Sequence, residues 1–446
     1  MKKFRNILVI LLVVAISVGT VGCAMREGSV DLIDGITPGT VSDNPPGDTS
    51  INGMADFSPT AVDLMDGIMP GTVYDSPLDN TFITGMADFS IELFRKSVAE
   101  GENSMISPLS VMLALAMTAN GADGETLAEF ESVLGGGIPI NVLSEYLHSY
   151  ISGLPSSERA MLSIANSIWF RDNDSLRVEN GFLQTNADYF GAQIYRAAFD
   201  DTTVRDINNW VSENTDEMID SILDRIEPDH MLFLINAIAF DADWLVPYNE
   251  HNIREGDFTE INGNVRSVDF MHSQESIFLD DGMATGFKKF YANREYSFVA
   301  MLPNEGVSIQ EYIESLTGDG FMDMINSAQD ALVLAAMPKF EFEYEISMVD
   351  VLGALGMPSA FDEIEADFSK MATSDIGNIF ISEVLHKTFI SVNELGTRAG
   401  AATMVIAAED SAPALVKTVT LDRPFVFAII DNATNLPIFI GALLTV

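Results

Sequence analysis

The sequence contains very little cysteine and few cationic side chains. Of its 446 residues, one is cysteine, and 23 are lysine or arginine against 66 aspartates and glutamates. A single cysteine excludes a disulfide framework within the chain. The formal net charge of −43 predicts a surface that repels nucleic acids and anionic lipids, so we expect no nucleic-acid partner.

The sequence also lacks the common motifs of metal, nucleotide and hydrolase chemistry. It has no HExxH, no CxxC, no P-loop and no GxSxG elbow. None of the histidines has the spacing of a metal-ligand pair. We therefore expect no metal, no cofactor and no enzymatic activity. The five histidines are His148, His230, His251, His272 and His386.

The chain begins with a targeting segment. Basic residues at 2, 3 and 5 precede an apolar stretch at 7–18, which is too short for a comfortable transmembrane helix. Small residues follow at 21 and 22. This pattern predicts a signal peptide over residues 1–22 and an exported protein.

The only cysteine, Cys23, stands where a bacterial lipoprotein is cleaved and lipidated. The preceding residues resemble a lipobox, although Thr20 replaces the usual leucine. Ordinary secretory cleavage near Ala24 is the alternative. We expect a protein that is either anchored at the cell surface through Cys23 or secreted, with membrane contact only through that lipid.

A tandem repeat follows the signal. The sequence VDLIDGITPGTV at 30–41 returns as VDLMDGIMPGTV at 62–73, and GMADFS at 53–58 returns at 85–90. The high Gly, Pro and Asp content predicts a duplicated, mostly disordered acidic tether over residues 23–78. A short binding motif around VDLxDGI is the alternative reading. Only the second GMADFS continues into a helical pattern, so the folded domain is placed at 79–446.

Within that domain, helical and strand patterns are mixed. Helices are predicted at 108–119, 122–134 and 203–223, and strands at 161–170, 231–240, 332–343 and 380–392. The strand at 231–240 is almost entirely apolar, as in a strand buried on both faces. The order of elements, with helices first and strands dominating later, predicts an α+β fold.

One stretch near the C-terminus, ELGTRAGAATMVIAAEDS at 394–411, is unusually rich in small residues. Alternate residues of a strand face the same side. One set of alternate residues is small or β-branched, and the other set carries the only cation, Arg398. The small set consists of Thr397, Ala399, Ala401, Thr403, Val405 and Ala407. The stretch is therefore either a flexible surface loop or a segment that can also enter a sheet as a strand.

Several motifs are spread over the folded domain. They are NSMISPLS at 103–110, ANSIW at 165–169, INNWV at 207–211, LIN at 234–236 with Phe240 and Trp244, PKF at 338–340, DRPF at 422–425 and PIFIG at 437–441. Together they make residues 80–446 resemble a serpin. The stretch 394–402 is similar to the family's hinge, ExGTEAAAA, with Arg398 for Glu and Gly400 for Ala. Both departures belong to the set of alternate residues that contains Arg398, which we expect to face solvent. We therefore expect them to allow the stretch to enter a sheet as a strand.

The resemblance implies a fold and a mechanism. The expected fold has a large mixed β-sheet, two further sheets, about eight to nine helices and an exposed reactive-centre loop. The expected function is serine-protease inhibition by a suicide mechanism, in which the cleaved loop inserts into the main sheet. The expected partner is an extracellular serine protease, and the inhibitor is expected to be a monomer.

The resemblance also assigns residues to roles. The polar cluster at which the sheet opens, called the shutter, is expected at Ser107, Ser110, Asn236 and His386. Trp244 is expected where the loop first enters, a region called the breach. The hinge positions are Glu394, Gly396, Thr397, Arg398, Ala399, Gly400, Ala401 and Ala402.

The family's loop register, counted from Glu394, places the scissile bond at Asp410–Ser411. An acidic residue before this bond favours a Glu- or Asp-preferring protease. Glu409–Asp410 is the adjacent possibility. Cleavage at Ala408–Glu409 would instead suit an elastase-like or subtilisin-like protease. Two further alternatives are a non-inhibitory serpin with a binding or structural role and an inhibitor of cysteine proteases.

Overall fold

The computed structural model describes residues 60–375, 377–397 and 415–446. Helices are concentrated in the first part of the domain and strands in the second, and the predicted α+β class is confirmed. The α-helices are α1 (Asn80–Ser97), α2 (Pro108–Ala119), α3 (Gly124–Gly135), α4 (Ile140–Gly153), α5 (Asn180–Phe190), α6 (Asp201–Asn214), α7 (Ile309–Ser315), α8 (Gly318–Asn326) and α9 (Val349–Leu355).

The described strands form three sheets. The strands are β1 (Val62–Asp63), β2 (Ser104–Ile106), β3 (Ala160–Arg171), β4 (Arg177–Val178), β5 (Gln193–Ala197), β6 (Leu232–Asp243), β7 (Ile253–Thr259), β8 (Val265–Asp280), β9 (Ala284–Phe290), β10 (Tyr296–Pro303), β11 (Gln329–Pro338), β12 (Phe340–Ser347), β13 (Ala372–Thr373), β14 (Glu383–Val392), β15 (Gly396–Thr397), β16 (Val416–Thr420), β17 (Phe425–Asp431) and β18 (Pro437–Leu443). Sheet A has the order β1-β5-β3-β6-β15-β14-β12. Sheet B has the order β16-β11-β8-β9-β10-β17-β18-β2, with β7 on β8, and a small third sheet pairs β13 with β4.

Helix α2 runs through the centre of the domain. Every residue from Pro108 to Ala119 is buried, as expected for a helix that is apolar on all sides. Ser107 caps the helix by accepting a hydrogen bond from the Ser110 N–H, and Pro108 occupies the first turn, where no backbone donor is needed. The cap places two serines of the predicted shutter at one end of a rigid, buried helix.

The single strand predicted at 332–343 is instead two strands in different sheets. β11 ends at Pro338 in sheet B, and β12 begins at Phe340 in sheet A. Proline cannot donate to a ladder, and the Lys339 N–H between the strands bonds to the Asp269 carbonyl instead. The prediction of one uninterrupted strand was wrong because β11 and β12 share the same apolar pattern, which does not reveal the change from one sheet to the other.

Helix α6 is shorter than the predicted helix at 203–223. It ends at Asn214, and Asp216 and Glu217 follow with φ angles of 50° and 58°. The left-handed backbone stops the helix. Ile219 and Ile222 continue the helical spacing in the sequence. In the structure they lie in the connection that leads to β6, and their side chains are buried.

Residues 60–78, which the sequence assigned to the tether, lie against the domain. β1 pairs antiparallel with β5 at the edge of sheet A, and the Asp206 carboxylate accepts three hydrogen bonds from Thr60 and Ala61. The Ser76 N–H donates to Ser149. The expectation of a disordered tether is therefore corrected for residues 60–78, because an edge strand needs few apolar residues of its own. The predicted signal peptide, Cys23 and the tether as far as residue 59 lie outside the described residues.

Within the described ranges, we find no helix with the length and apolar character needed to cross a membrane.

Candidate functional site

The two central strands of sheet A are joined over only part of their length. β14 pairs in parallel with β6 through four residues, Glu383 to His386, opposite Phe233 to Asn236. Beyond these pairs, β15 lies between the two strands. Its Gly396 and Thr397 oppose Asp243 and Ala242 of β6, and Thr397 also opposes Val392 of β14. We call this partly opened line between β6 and β14 the seam.

The four residues predicted for the shutter meet at the last closed pair of the seam. His386 is opposite Asn236 in the ladder, and Ser107 and Ser110 reach both from the start of α2. The Asn236 side chain accepts from the Ser110 hydroxyl and donates to the Ser110 carbonyl over 2.6 Å. All four side chains are at most 2% exposed. Because buried polar groups need partners, this cluster stabilises the closed half of the seam.

Both ring nitrogens of His386 are used in this cluster. Nε2 accepts a hydrogen bond from the Ser107 N–H at 3.0 Å, and Nδ1 lies 3.2 Å from Oδ1 of Asn236. Since the amide oxygen is an acceptor, the proton belongs on Nδ1. Burial lowers the pKa of His386 to about 3, so the ring is neutral near pH 7. A neutral imidazole suits a closed seam because no charge is enclosed in the core.

Trp244, predicted for the breach, lies directly beside the upper end of the seam. Its backbone N–H donates to the Leu395 carbonyl over 2.8 Å, and its indole Nε1 donates to the Asn393 carbonyl over 2.9 Å. The ring is fully buried and stacks on Tyr291 at a centroid distance of 4.5 Å. Trp244 therefore holds the chain that leads from β14 into β15.

Tyr291 contacts the first inserted side chain. Its hydroxyl lies 2.6 Å from Oγ1 of Thr397, and Thr397 is 3% exposed. Burial raises the pKa of the Tyr291 phenol, which keeps the hydroxyl protonated and available for this bond. The pair anchors β15 in sheet A, and sequence reasoning gave Tyr291 no role.

An ion pair lies at the hinge. Lys339 Nζ is 2.8 Å from Oε2 of Glu394, and both side chains are partly exposed. The hydrogen bond from Lys339 holds the pKa of Glu394 below its usual value. Because solvent screens the pair, we expect a contribution to stability of about 1 kcal/mol or less.

A further contact lies on the outer face of sheet A and joins β14 to the connection that leads into β6. Lys387 Nζ donates to the Ser221 carbonyl over 3.0 Å and lies 3.2 Å from a carboxylate oxygen of Glu343. Ser221 belongs to the connection between α6 and β6. Beneath it, one apolar cluster contains Phe233 of β6 and Leu385 of β14. This connection therefore covers the seam, and a strand that enters the seam must pass under it.

Three contributors to the site were not identified in the sequence. Asn166 accepts a hydrogen bond from the Asn236 side chain, although the motif at 165–169 was quoted for the resemblance only. The sequence gives no sign of a role for Tyr291 and only a weak one for Lys387. A lysine within the apolar strand pattern at 380–392 is the one local sign that a charge there has a specific partner.

Most of the predicted loop residues have no described position. Glu394, Gly396 and Thr397 are placed as above. The hinge positions Arg398, Ala399, Gly400, Ala401 and Ala402 and the candidate cleavage positions Ala408, Glu409, Asp410 and Ser411 lie outside the described residues.

The chain is similar to known proteins over most of its length. Residues 84–446 match the family described as Serpin (serine protease inhibitor). The native-state structure of the thermophilic serpin tengpin is 53% identical, with a TM-score of 0.84 over 86% of this chain and 100% of that chain. The latent state of tengpin gives a TM-score of 0.75 and 51% identity over 84% of this chain and 100% of that chain. An uncharacterized serpin-like protein of Thermococcus kodakarensis is 28% identical over 368 residues, 80% of this chain and 83% of the relative.

Among the described residues, sheet A is a mixed sheet whose two central strands part along the seam, with β15 between them at one end. The chain belongs to the serpin family. The predicted serpin fold is confirmed, and proteins of this family are generally protease inhibitors rather than enzymes.

Proposed function

We propose that this protein inhibits extracellular serine proteases as a suicide substrate, by inserting its cleaved loop into sheet A. The observation that carries the proposal is the seam. β6 and β14 are paired below the shutter, and β15 already occupies the upper end. An extension of β15 down the seam would require the four ladder pairs between β6 and β14 to separate, beginning with His386 and Asn236 of the shutter.

The chemistry requires one cleavage in the loop. The protease serine attacks the carbonyl carbon of the scissile bond, for which Asp410–Ser411 is our first choice. An ester forms with that carbonyl, the C–N bond breaks, and the released amine takes the proton from the protease's general acid. The new amine stays with β16, whereas the acyl end is free to follow β15 into the seam with the protease attached.

Backbone hydrogen bonding supplies the driving force. Each new hydrogen bond in a sheet contributes about 1 kcal/mol net, so a strand of about a dozen residues gains on the order of 10 kcal/mol. Thr397 lies in the buried set that alternation in the sequence placed inward, and its exposure is 3%. The remaining inward residues are small or β-branched, which suits entry into a closed core.

The target follows from the residue before the scissile bond. We propose an acid-preferring protease for cleavage at Asp410–Ser411 or Glu409–Asp410. An elastase-like or subtilisin-like protease is proposed for cleavage at Ala408–Glu409. Mass spectrometry of the C-terminal fragment that a complex releases distinguishes these bonds, because each begins with a different residue.

The test is incubation of the full chain with elastase, subtilisin and a Glu-specific protease. We expect an SDS-stable complex of inhibitor and protease with at least one of them. Cleavage of the loop by all three without any such complex would contradict inhibition by insertion.

A non-inhibitory serpin with a binding role is the second candidate, because some members of the family do not inhibit proteases. The melting temperature after loop cleavage distinguishes the two. Insertion predicts a large rise of the melting temperature, whereas the binding role predicts none. Cysteine-protease inhibition is tested by adding a papain-like enzyme to the same series.

We also propose export and a lipid anchor at Cys23. The basic start, the apolar stretch at 7–18 and the lone cysteine support this location. In a bacterial host, radiolabelled palmitate should enter the wild type and not Cys23→Ser, and the variant should appear in the medium. Incorporation in neither protein, with both exported, would favour ordinary secretion.

A further inference from the structure

The second copy of the sequence repeat, at 62–73, lies along the edge of sheet A. Its first two residues form β1, which pairs antiparallel with β5. The Leu64 N–H extends this contact by donating to the Ile194 carbonyl over 2.8 Å. Three apolar side chains of the copy pack partly buried against the core, and they are Leu64, Met65 and Ile68. Backbone hydrogen bonds and these side chains together hold the copy on the domain.

The later residues of this copy are bound through their backbone to helix α5. The Gly71 N–H donates to the Asp188 carboxylate over 2.6 Å, and the Met69 carbonyl accepts from the Gln184 side chain over 3.0 Å. A Cβ on Gly71 would lie 3.3 Å from that carboxylate, so a side chain here would crowd the contact. We call the surface formed by β5, α5 and Asp206 of α6 the repeat groove.

A tight turn follows β1 and depends on an aspartate and a glycine. The Asp63 carboxylate accepts from the Met65 N–H over 2.8 Å, and the Ile68 N–H donates to the Met65 carbonyl over 3.0 Å. Gly67 has a φ angle of 81°, which glycine adopts without strain. These two residues give the segment the shape in which it is bound.

The first copy of the repeat, at 30–41, lies outside the described residues, but its sequence contains the groups that the repeat groove contacts. The copies are 32 residues apart and differ at two of twelve positions. The residues that hold and shape the second copy all have identical counterparts in the first. Asp31, Leu32, Gly35, Ile36 and Gly39 correspond to Asp63, Leu64, Gly67, Ile68 and Gly71 respectively.

The two differences between the copies are compatible with the same contacts. Ile33 stands in the place of Met65, and both are apolar side chains of similar volume. Thr37 stands in the place of Met69, whose side chain is 78% exposed and whose carbonyl contacts the groove. From residue 30 onward, the first copy can therefore form the contacts that the second copy forms.

The two residues before each copy favour the second copy. The Thr60 hydroxyl donates to Asp206 over 2.6 Å, beside the N–H groups of Thr60 and Ala61. Gly28 and Ser29 occupy these positions before the first copy, so the backbone donors are retained and the Thr60 hydroxyl has no counterpart. Loss of a hydrogen bond to a charged acceptor should weaken binding about tenfold or more.

The length of the chain permits either copy to reach the repeat groove. Val73 is at most about 25 Å from Asn80, because seven residue steps join them. With the first copy in the groove, the 38 residues at 42–79 would make this connection. A coil of that length spans roughly 34 Å r.m.s., which is sufficient. The shorter connection gives the second copy the higher effective concentration.

We propose that the repeat groove is a binding site for the repeat unit which either copy can occupy, so that the first copy replaces the second when the second leaves. The exchange moves the point of attachment on the N-terminal segment by 32 residues. The occupant is thus an extended peptide of the form VDLxDGIxPG. This inference does not depend on protease inhibition.

The test is hydrogen exchange measured by mass spectrometry on variants of the full chain. L64S/I68S removes two apolar side chains of the second copy, and L32S/I36S, the matched control, removes those of the first. A combined variant carries all four substitutions. The readout is exchange over residues 193–197, because β1 covers this edge of β5 in the wild type.

We expect exchange over 193–197 to be about tenfold faster in L64S/I68S than in the wild type, with new protection over residues 30–36. The combined variant should be at least tenfold faster again, and L32S/I36S should match the wild type. Adding Gly28→Thr to L64S/I68S should slow exchange, because it supplies the missing hydroxyl to Asp206. Equal exchange in L64S/I68S and the combined variant would overturn the proposal.

A synthetic peptide of residues 28–41 decides the question if the combined variant fails to fold, which its melting temperature reports. The peptide is added to L64S/I68S at about 1 mM, comparable with the effective concentration of a tethered segment. It should slow exchange over 193–197, whereas the same peptide with L32S/I36S should not. Equal effects of the two peptides would show that the groove does not recognise the repeat and would overturn the proposal.

Discussion

The backbone N–H of Ser107 donates a hydrogen bond to Nε2 of His386 over 3.0 Å, which joins the start of helix α2 to strand β14. The bond needs a neutral imidazole, because a protonated ring offers no acceptor. It lies at the level where β14 and β6 part, so the protonation state of one buried side chain bears directly on the closed seam.

The first prediction concerns the pH dependence of stability. The pKa of His386 is lowered to about 3 in the folded protein, from an ordinary value of 6.5. Between these values the unfolded chain binds one more proton, so this group's contribution is complete above pH 6.5 and is lost as the pH falls toward 3. His386→Gln should show a weaker loss of unfolding free energy between pH 7 and pH 5 in urea titrations. The difference at pH 5 is on the order of 2 kcal/mol.

The matched control is His251→Gln, which replaces an exposed histidine. Its unfolding free energy should follow the wild type at both pH values. If His386→Gln keeps the wild-type pH slope, the buried imidazole is not responsible for it.

The second prediction concerns Thr397, the residue of β15 whose side chain enters the core. Thr397→Arg places a cation where Thr397 is 3% exposed and bonded to Tyr291. A buried unpaired charge costs several kcal/mol, so β15 should leave the seam and the loop should fail to insert. The protein should then be cleaved as a substrate, with the stoichiometry of inhibition raised at least several-fold.

Thr397→Ser retains the hydroxyl and should inhibit like the wild type. Should Thr397→Arg trap a protease as efficiently as Thr397→Ser, entry of this residue into sheet A is not required for inhibition.

The third prediction concerns the cover of the seam. Lys387→Met retains most of the aliphatic stem and removes the ammonium that donates to the Ser221 carbonyl. Hydrogen bonds to charged groups contribute about 1.5–3 kcal/mol, part of which is offset by relief of burying the charge. Hydrogen exchange measured by mass spectrometry should become faster over residues 219–223, because the connection between α6 and β6 loses its anchor on β14.

Lys370→Met removes an exposed lysine that pairs with Asp123 and serves as the control. Its exchange over residues 219–223 should match the wild type. Unchanged exchange in Lys387→Met would show that the apolar cluster alone holds the connection.

The fourth prediction concerns the N-terminal edge of sheet A. One carboxylate oxygen of Asp206 accepts from the Thr60 N–H, the Thr60 hydroxyl and the Ala61 N–H. Asp206→Asn weakens all three bonds, because an uncharged amide oxygen is a poorer acceptor. Amide exchange over residues 61–65 should accelerate at least tenfold, with little change in the global melting temperature.

Asp188→Asn provides a local comparison, because this carboxylate accepts from the Gly71 N–H farther along the same segment. It should loosen the chain around residue 71 and leave residues 61–65 protected. Equal protection of 61–65 in wild type and Asp206→Asn would mean that the pairing of β1 with β5 is sufficient.

Several elements could be predicted from the sequence because their signals are local. The run at 231–240 predicted the buried strand β6, and its bounds differ from the structure by one residue at the start and three at the end. The apolar run after Ser107 predicted α2, and serine followed by proline is a usual helix start. The four shutter residues were named through a family resemblance, and the structure brings their side chains into one hydrogen-bonded cluster.

Other features depend on partners that are distant in the chain. The boundary between β11 and β12 depends on Asp269, to whose carbonyl Lys339 donates its N–H. The order of residues 60–78 depends on Asp206 and Ser149. Neither partner could be assigned from the composition of the segment itself.

The α+β class and the alternation of small residues near the C-terminus could be predicted from the sequence alone. Periodicity and composition are local properties, and they record which faces must be buried. Only the tertiary structure decided that β15 has already entered sheet A, that Tyr291 receives Thr397, and that Lys387 fastens the connection over the seam. These contacts join residues up to 166 positions apart, so they depend on how the sheets and helices pack and not on any single stretch of the chain.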